Sequence, residues 1–286
     1  MKSKIKIIIV VFVLLLVGVA AAIPKTTYEK WFDKDDVTIE ENDQQMTKLV
    51  YVKNEQGLIV GLEVPVAEIL EDDIVQKWNL LTKDVSLLPS GYSSAIHKDT
   101  ILNSYEIKGS VLEMHVSPEI TSSDGRSTVE TLAWTFGNDE ITEVKLFVNN
   151  TQVRQINNYT ISKITKEVGI NLDYETSYLL ESTATTIIYC ENEYLLPVTY
   201  FHLEDDVCSY ILEKAYKLSD DEKTWNYEYE LNEDSVVINF ADNLELNERV
   251  LMTLTYSFDM NFNVSKLSIN NSEKILYEAV FGEIVE

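Results

Sequence analysis

The chain switches between two hydrophobic periods, and it does so twice in the same order. Thr47–Val66, "TKLVYVKNEQGLIVGLEVPV", reads as an apolar strand, a short turn and a second apolar strand, and Thr185–Leu203, "TTIIYCENEYLLPVTYFHL", reads the same way. Each is followed by an acidic phrase, "LEDDIV" from Leu70 and "LEDDVC" from Leu203, and then by helical spacing: Ile74, Trp78 and Leu81 in one, Val207 and Ile211 in the other. The acidic residues belong at the helix start, where Asp72 or Asp73 can accept from free backbone N–H groups and favour the helix dipole. "VLEMHVSPEI" from Val111 and "SVVINFADNL" from Ser235 both alternate like half-buried strands. Two further helical faces follow, Val129, Leu132, Ala133 and Phe136 against Leu251, Leu254, Thr255 and Phe258, with Trp134 matching Tyr256. Lys145-Leu146 then matches Lys266-Leu267, Val148 matches Ile269, and Asn149-Asn150 matches Asn270-Asn271.

The separation between paired landmarks shrinks stepwise along the chain, as loop deletions in a second copy produce. One deletion falls at "LLPSGYSS" (Leu87–Ser94), a Pro/Gly turn without a counterpart. Element order, element type and spacing recur together, which is a tandem duplication. Each unit runs strand, strand, helix, strand pair, helix, strand. The expected fold is α+β: two small mixed-sheet domains, each with two helices packed on one sheet. The expected boundaries are an N-terminal anchor over 1–24, an acidic spacer over 25–44, a first domain over 45–156, a linker over 157–170 and a divergent second domain over 171–286.

The N-terminus sets the compartment. Lys2, Lys4 and Lys6 precede the uncharged run Ile7–Pro24, so the positive-inside rule keeps the lysines in the cytoplasm and sends the remainder outward. The run is long for a signal-peptide core and reads as a single-pass anchor, although Ala20-Ala21-Ala22 would also serve as a cleavage site. With 48 acidic against 23 basic residues the net charge is -25, which opposes binding to a phosphate backbone. Apolar residues at 45% supply a core. Cys190 and Cys208, the two cysteines, could form one disulfide outside the cytoplasm or remain two buried thiols.

Candidate chemistry is sparse. His97, His115 and His202 stand in different elements, none near a nucleophile elbow. The acidic groups Asp72-Asp73, Asp205-Asp206 and Asp220-Asp221-Glu222 lack the alternating ligand loop and central glycine of a calcium site. No phosphate-cradling glycine motif occurs. The expectation is therefore a non-enzymatic protein without catalytic residues, metal or cofactor.

"VYVKNEQGLIVGLEVPV", "LLPSG", "VLEMHVSPE" and "LAWTFGNDEITEVKLFVNN" resemble the GerM domain of bacterial spore germination and sporulation proteins. The resemblance covers most of the first unit and, more weakly, the second. It implies a membrane-anchored extracytoplasmic protein of a spore-forming or related bacterium. Such a protein would act in sporulation, germination or envelope assembly through contacts with other envelope proteins or by self-association, with no nucleic acid. The resemblance also implies a fold similar to ring-building domains of assemblies between two membranes. The competing reading is a peptidoglycan-binding or small-ligand-binding accessory module unrelated to spores. The chain departs from many relatives in having an apolar anchor where they carry a lipid-modified cysteine, and its second copy lacks the "LPxG" turn.

Overall fold

The computed structural model describes residues 46–280 apart from 71, 192–193, 220–224, 242–243, 245, 263 and 272–273. The expected anchor and the spacer lie outside the described residues. No helix among the described residues is long and apolar enough to cross a membrane.

The first copy runs β1 (Thr47–Lys53), β2 (Ile59–Pro65), α1 (Asp73–Leu81), β3 (Leu102–Lys108), β4 (Val111–Val116), α2 (Gly125–Phe136), β5 (Glu143–Val148) and β6 (Thr151–Gln152). A hairpin, β7 (Gln155–Ile156) with β8 (Tyr159–Thr160), and a short strand, β9 (Asp173–Tyr174), connect it to the second copy. There the order is β10 (Thr183–Glu191), β11 (Tyr194–His202), α3 (Val207–Tyr216), β12 (Tyr227–Leu231), β13 (Ser235–Phe240), α4 (Glu248–Phe262), β14 (Lys266–Asn271) and β15 (Ile275–Val280). The two series match element for element. So do their pairings: in each four-stranded sheet an antiparallel pair precedes a parallel one, β4 with β5 and β13 with β14, and an antiparallel pair closes the row. A parallel pair needs a crossover, which α2 and α4 supply.

The single sheet expected for each unit is instead split. The hairpins β1–β2 and β10–β11 leave their own copies' sheets and join each other in the order β1-β2-β11-β10, with β9 along β11. The row reads the same from either end, as a pseudo-twofold arrangement requires. Both of its faces are covered. Ile187 belongs to the core of the second copy and its neighbour Ile188 to the core of the first, because successive strand residues point to opposite faces. This explains why the hairpin strands read as nearly continuous apolar runs.

The first core gathers Leu112, Met114, Leu132, Phe136 and Leu146, the second Val236, Ile238, Leu254, Phe258 and Leu267. All five pairs implied by the duplication are buried. On α4, however, the inward face is Val250, Thr253, Leu254, Ser257 and Phe258, while Leu251 and Thr255 are half-buried. The segment 157–170, expected as a linker, places Ile161, Ile164 and Ile170 in the first core.

Two landmarks slip between the copies. Asp72 caps α1, its Oδ1 accepting from the Val75 N–H at 2.9 Å, whereas α3 is capped by Asp206, one place further along the acidic phrase. A tyrosine from the adjoining strand stands by each cap: Tyr105 donates to Asp72 at 3.0 Å, and the Tyr229 hydroxyl lies near Asp206, which helps raise its pKa. At the other end, Asn149 and Asn150 have positive φ and form the two-residue turn joining Val148 to Thr151. Their counterparts Asn270 and Asn271 are strand residues of β14. Both strands have six residues, and Val111 pairs with Glu143 where Ser235 pairs with Lys266, so the sequence match and the hydrogen-bond register disagree by two places.

Candidate functional site

The joint between the hairpins is built around Asn171. Strands β2 and β11 share a single rung, Leu195 opposite Gly61. The next rung would fall at Pro197, which has no N–H to give. Asn171 fills the gap with its side chain: Oδ1 accepts from the Ile59 N–H at 2.9 Å, and Nδ2 donates to the Ile59 carbonyl at 2.7 Å and the Pro197 carbonyl at 2.8 Å. Its φ of 45° lies in the left-handed region, where asparagine is the best tolerated residue after glycine. Its own N–H lies near the carboxylate of Glu130 on α2, which takes Arg126 Nε at 2.8 Å. Burial raises the Glu130 carboxyl above its usual range against the pull of Arg126 and that N–H. Two residues earlier Gly169 has φ +81°, and a Cβ there would lie 2.7 Å from Leu172 Cδ2. The strap from Gly169 to Tyr174 therefore takes over the edge of β11 where β2 leaves it.

The outer edges of this sheet are closed by helix side chains. On β10 the N–H groups of Thr186, Ile188 and Cys190 donate to Asn261, Ser257 and Thr253, one residue per turn of α4. On β1 the Tyr51 N–H donates to Thr135 of α2 at 3.0 Å, and Lys53 pairs with Ser93 of the "LLPSGYSS" loop. Because Ser93 serves Lys53, the hydroxyl of Thr131, which corresponds to Thr253, is left without a partner. An exposed edge invites another strand, and both copies block it by different means.

An ion pair pins the end of each hairpin to the start of a helix, with its sign reversed between copies. In the first, Lys53 on the strand meets Asp124 at the N-cap of α2 at 2.6 Å; in the second, Glu191 on the strand meets Arg249 in the first turn of α4 at 2.5 Å. Both corners carry a cleft: in the first copy one of about 580 Å³ between Lys53, Asp124 and the loop residues Gly91 and Ser93, in the second one of about 470 Å³ bordered by Cys190, Leu195, Arg249, Met252 and Tyr256.

The densest group of titratable side chains lies on the second copy. Lys214 Nζ sits 2.6 Å from Glu175 and 3.9 Å above the ring of Tyr200, and the Tyr210 hydroxyl donates to the other Glu175 oxygen at 2.8 Å. Tyr189 and Tyr200 hydroxyls are 2.9 Å apart. His202 is buried, its ring stacked 3.5 Å from that of Tyr210, with Nε2 at 2.8 Å from Thr185 and Nδ1 unpartnered. Apart from that one nitrogen the polar groups here are bound to a neighbour, so the cluster ties the chain after β9 to α3.

Burial holds the His202 imidazole below its ordinary pKa of 6.5, with Lys214 adding to the effect and Glu175 opposing it. The neutral ring is therefore the folded form. Its contribution to stability is present above pH 6.5 and is lost as pH falls below that value. The urea midpoint should fall between pH 7.5 and pH 5.5, and His202→Gln should flatten that segment of the curve; an unchanged slope in the variant would exclude His202 as its source.

The other sequence candidates are scattered. His97 is half-buried, its Nδ1 accepting from the Asp99 N–H, and His115 stacks on Phe147. Cys190 and Cys208 are free thiols, Cys190 half-buried at the second-copy cleft and Cys208 in the second core. Burial pushes their pKa values up to about 11 and about 12, leaving both protonated. Among the described residues no group of three or more His, Cys, Asp and Glu could hold a metal ion. Asp220, Asp221 and Glu222 lie outside those residues.

Residues 31–154 match the family model Germane, described as "Sporulation and spore germination". The match covers the first copy. A solved structure of the tandem GerMN domains of the sporulation protein GerM from Bacillus subtilis superposes at TM-score 0.71 and 20% identity, covering 80% of this chain and 92% of that one. The structure of the first GerMN domain alone, also 20% identical, covers 43% of this chain and 98% of its own, at TM-score 0.39. No curated protein sequence matches the chain. The tandem likeness extends the same architecture to the second copy: mixed α+β with, among the described residues, four α-helices, a pair to each copy.

Proposed function

We propose that this chain is a membrane-anchored, extracytoplasmic protein that acts without catalysis in sporulation, germination or envelope assembly through protein–protein contacts. The observation that carries the reading is an apolar ridge at one end of the shared sheet. Tyr178, Leu179 and Leu180 precede β10 and are 67%, 52% and 103% exposed. The pairing of Thr183 with His202 brings Leu203, 56% exposed, to the same end, and Tyr174 stacks on Phe201 beside it. Apolar side chains gathered in this way mark a contact surface. The joined hairpins make a rigid platform for it, and the N-terminal apolar run supplies the anchor.

Deleting the gene in its own host and scoring heat-resistant spores and their germination tests the reading. A defect restored by the full chain but not by a folded Leu179→Asp, Leu180→Asp variant supports it. Normal spore yield and germination without the gene would overturn the sporulation role.

A further inference from the structure

Comparing the copies separates what the fold requires from what one copy has in addition. Between α3 and β12 the second copy is filled with aromatic rings: Trp225 meets Tyr216 at 5.4 Å and Phe240 at 5.2 Å, and Tyr227 packs on Phe240 at 6.2 Å. At the corresponding place between α1 and β3 the first copy has an open cleft of about 360 Å³.

Its lining is a different kind of surface. Val75, Trp78 and Leu102 give an apolar floor, and Asn79, Lys83, Asn103 and Ser104 give amides, an ammonium and a hydroxyl. Counted from the two caps, Trp78, Asn79 and Lys83 correspond to Leu212, Glu213 and Lys217, and Lys217 is held by Glu213 at 2.8 Å, so the tryptophan and the unpaired lysine belong to the first copy alone. Among the described residues Lys83 makes no ion pair, and the side chains of Asn79, Asn103 and Ser104 make no hydrogen bond, although the protein is rich in acidic partners. The Trp78 indole N–H is buried and unpartnered. Those of Trp134 and Trp225 are unpartnered too, but neither lines this cleft.

The strand wall carries a second departure. The register of β3 on β4 shifts between Leu102 and Ser104, leaving Asn103 as an extra, bulged residue, whereas β12 pairs with β13 without interruption. Bulges re-aim side chains and concentrate beside functional sites. A tryptophan, an unpaired lysine and a bulged asparagine, each absent from the sister copy, meet in one cleft.

We propose that the cleft between α1 and β3 binds a small carboxylate-bearing ligand rich in hydroxyl or amide groups, the chemistry shared by acidic amino sugars and peptide C-termini. Lys83 meets the carboxylate, Asn79, Asn103 and Ser104 take the neutral polar groups, and the Trp78–Leu102 floor takes an apolar face. The inference stands apart from the sporulation role, since it requires no partner protein.

Saturation-transfer NMR on the full chain in detergent micelles tests it, with N-acetylmuramic acid, neutral N-acetylglucosamine and N-acetyl-dialanine as probes at about 10 mM. Signal from an acidic probe that Lys83→Ala weakens about tenfold supports the site. So does its loss on Asn103→Tyr, which puts an aromatic ring into the cleft. Thermal unfolding verifies that both variants fold. A response to the acidic sugar alone, to the dipeptide alone or to both identifies the source of the carboxylate. No transfer to either acidic probe, or transfer unchanged in both variants, overturns the proposal.

Discussion

Asn171→Ala is expected to lower the unfolding free energy by about 2–4 kcal/mol, from three hydrogen bonds lost at a partly buried joint. The amide of Asn171 stands where Pro197 leaves β11 without a donor, so its removal strands the Ile59 N–H and two carbonyls between the hairpins. Part of the cost is conformational, since alanine tolerates a φ of 45° worse than asparagine does. Asn171→Gly separates the two terms: it loses the amide but relaxes the backbone, and should recover about 1 kcal/mol relative to alanine. Urea unfolding measures both. A change within about 0.5 kcal/mol of the parent for alanine would mean that the joint does not depend on this side chain.

Phe258→Ala should cost about 3–5 kcal/mol, because its ring is fully buried in the second core and its removal leaves a cavity. The more informative result is where that loss is felt. Ile187 and Ile188 point from one strand into both cores, and the shared sheet leaves no seam that opens without breaking a ladder. In a Trp31→Phe, Trp225→Phe background the fluorescence of Trp78 and Trp134 reports on the first core alone. That signal should shift with far-UV circular dichroism to the same lower midpoint. If the first core keeps its original midpoint while the second melts early, the copies are energetically independent and the common sheet is not cooperative.

Most of the element list was legible because helix and strand periods are local properties of side-chain order. Leu132 with Leu254 and Phe136 with Phe258 could be paired from their spacing alone, and all four are buried. The acidic phrase located two helix starts, but it could not say that the cap moves from Asp72 to Asp206, since adjacent aspartates offer equivalent oxygens. Thr135, Thr253, Ser257 and Asn261 carry no sequence signal of their structural role. A polar position on an apolar helix face looks like an interruption until a strand edge is laid against it. One signal is present in the sequence: the absence of the "LLPSGYSS" loop from the second copy implies an uncovered edge that something else has to close.

By itself the sequence determined that one strand–helix pattern is used twice, which paired landmarks such as Leu132 with Leu254 pack inward, and that an apolar segment precedes a strongly acidic remainder. Tertiary structure alone decided that the hairpins pair with each other, that Asn171 stands in for a missing rung, and that the space beside α1 is open where its twin beside α3 is plugged. Burial is written into side-chain chemistry. The choice of strand neighbour is made by backbone N–H and C=O groups, which are the same at nearly every residue and leave no mark in the sequence.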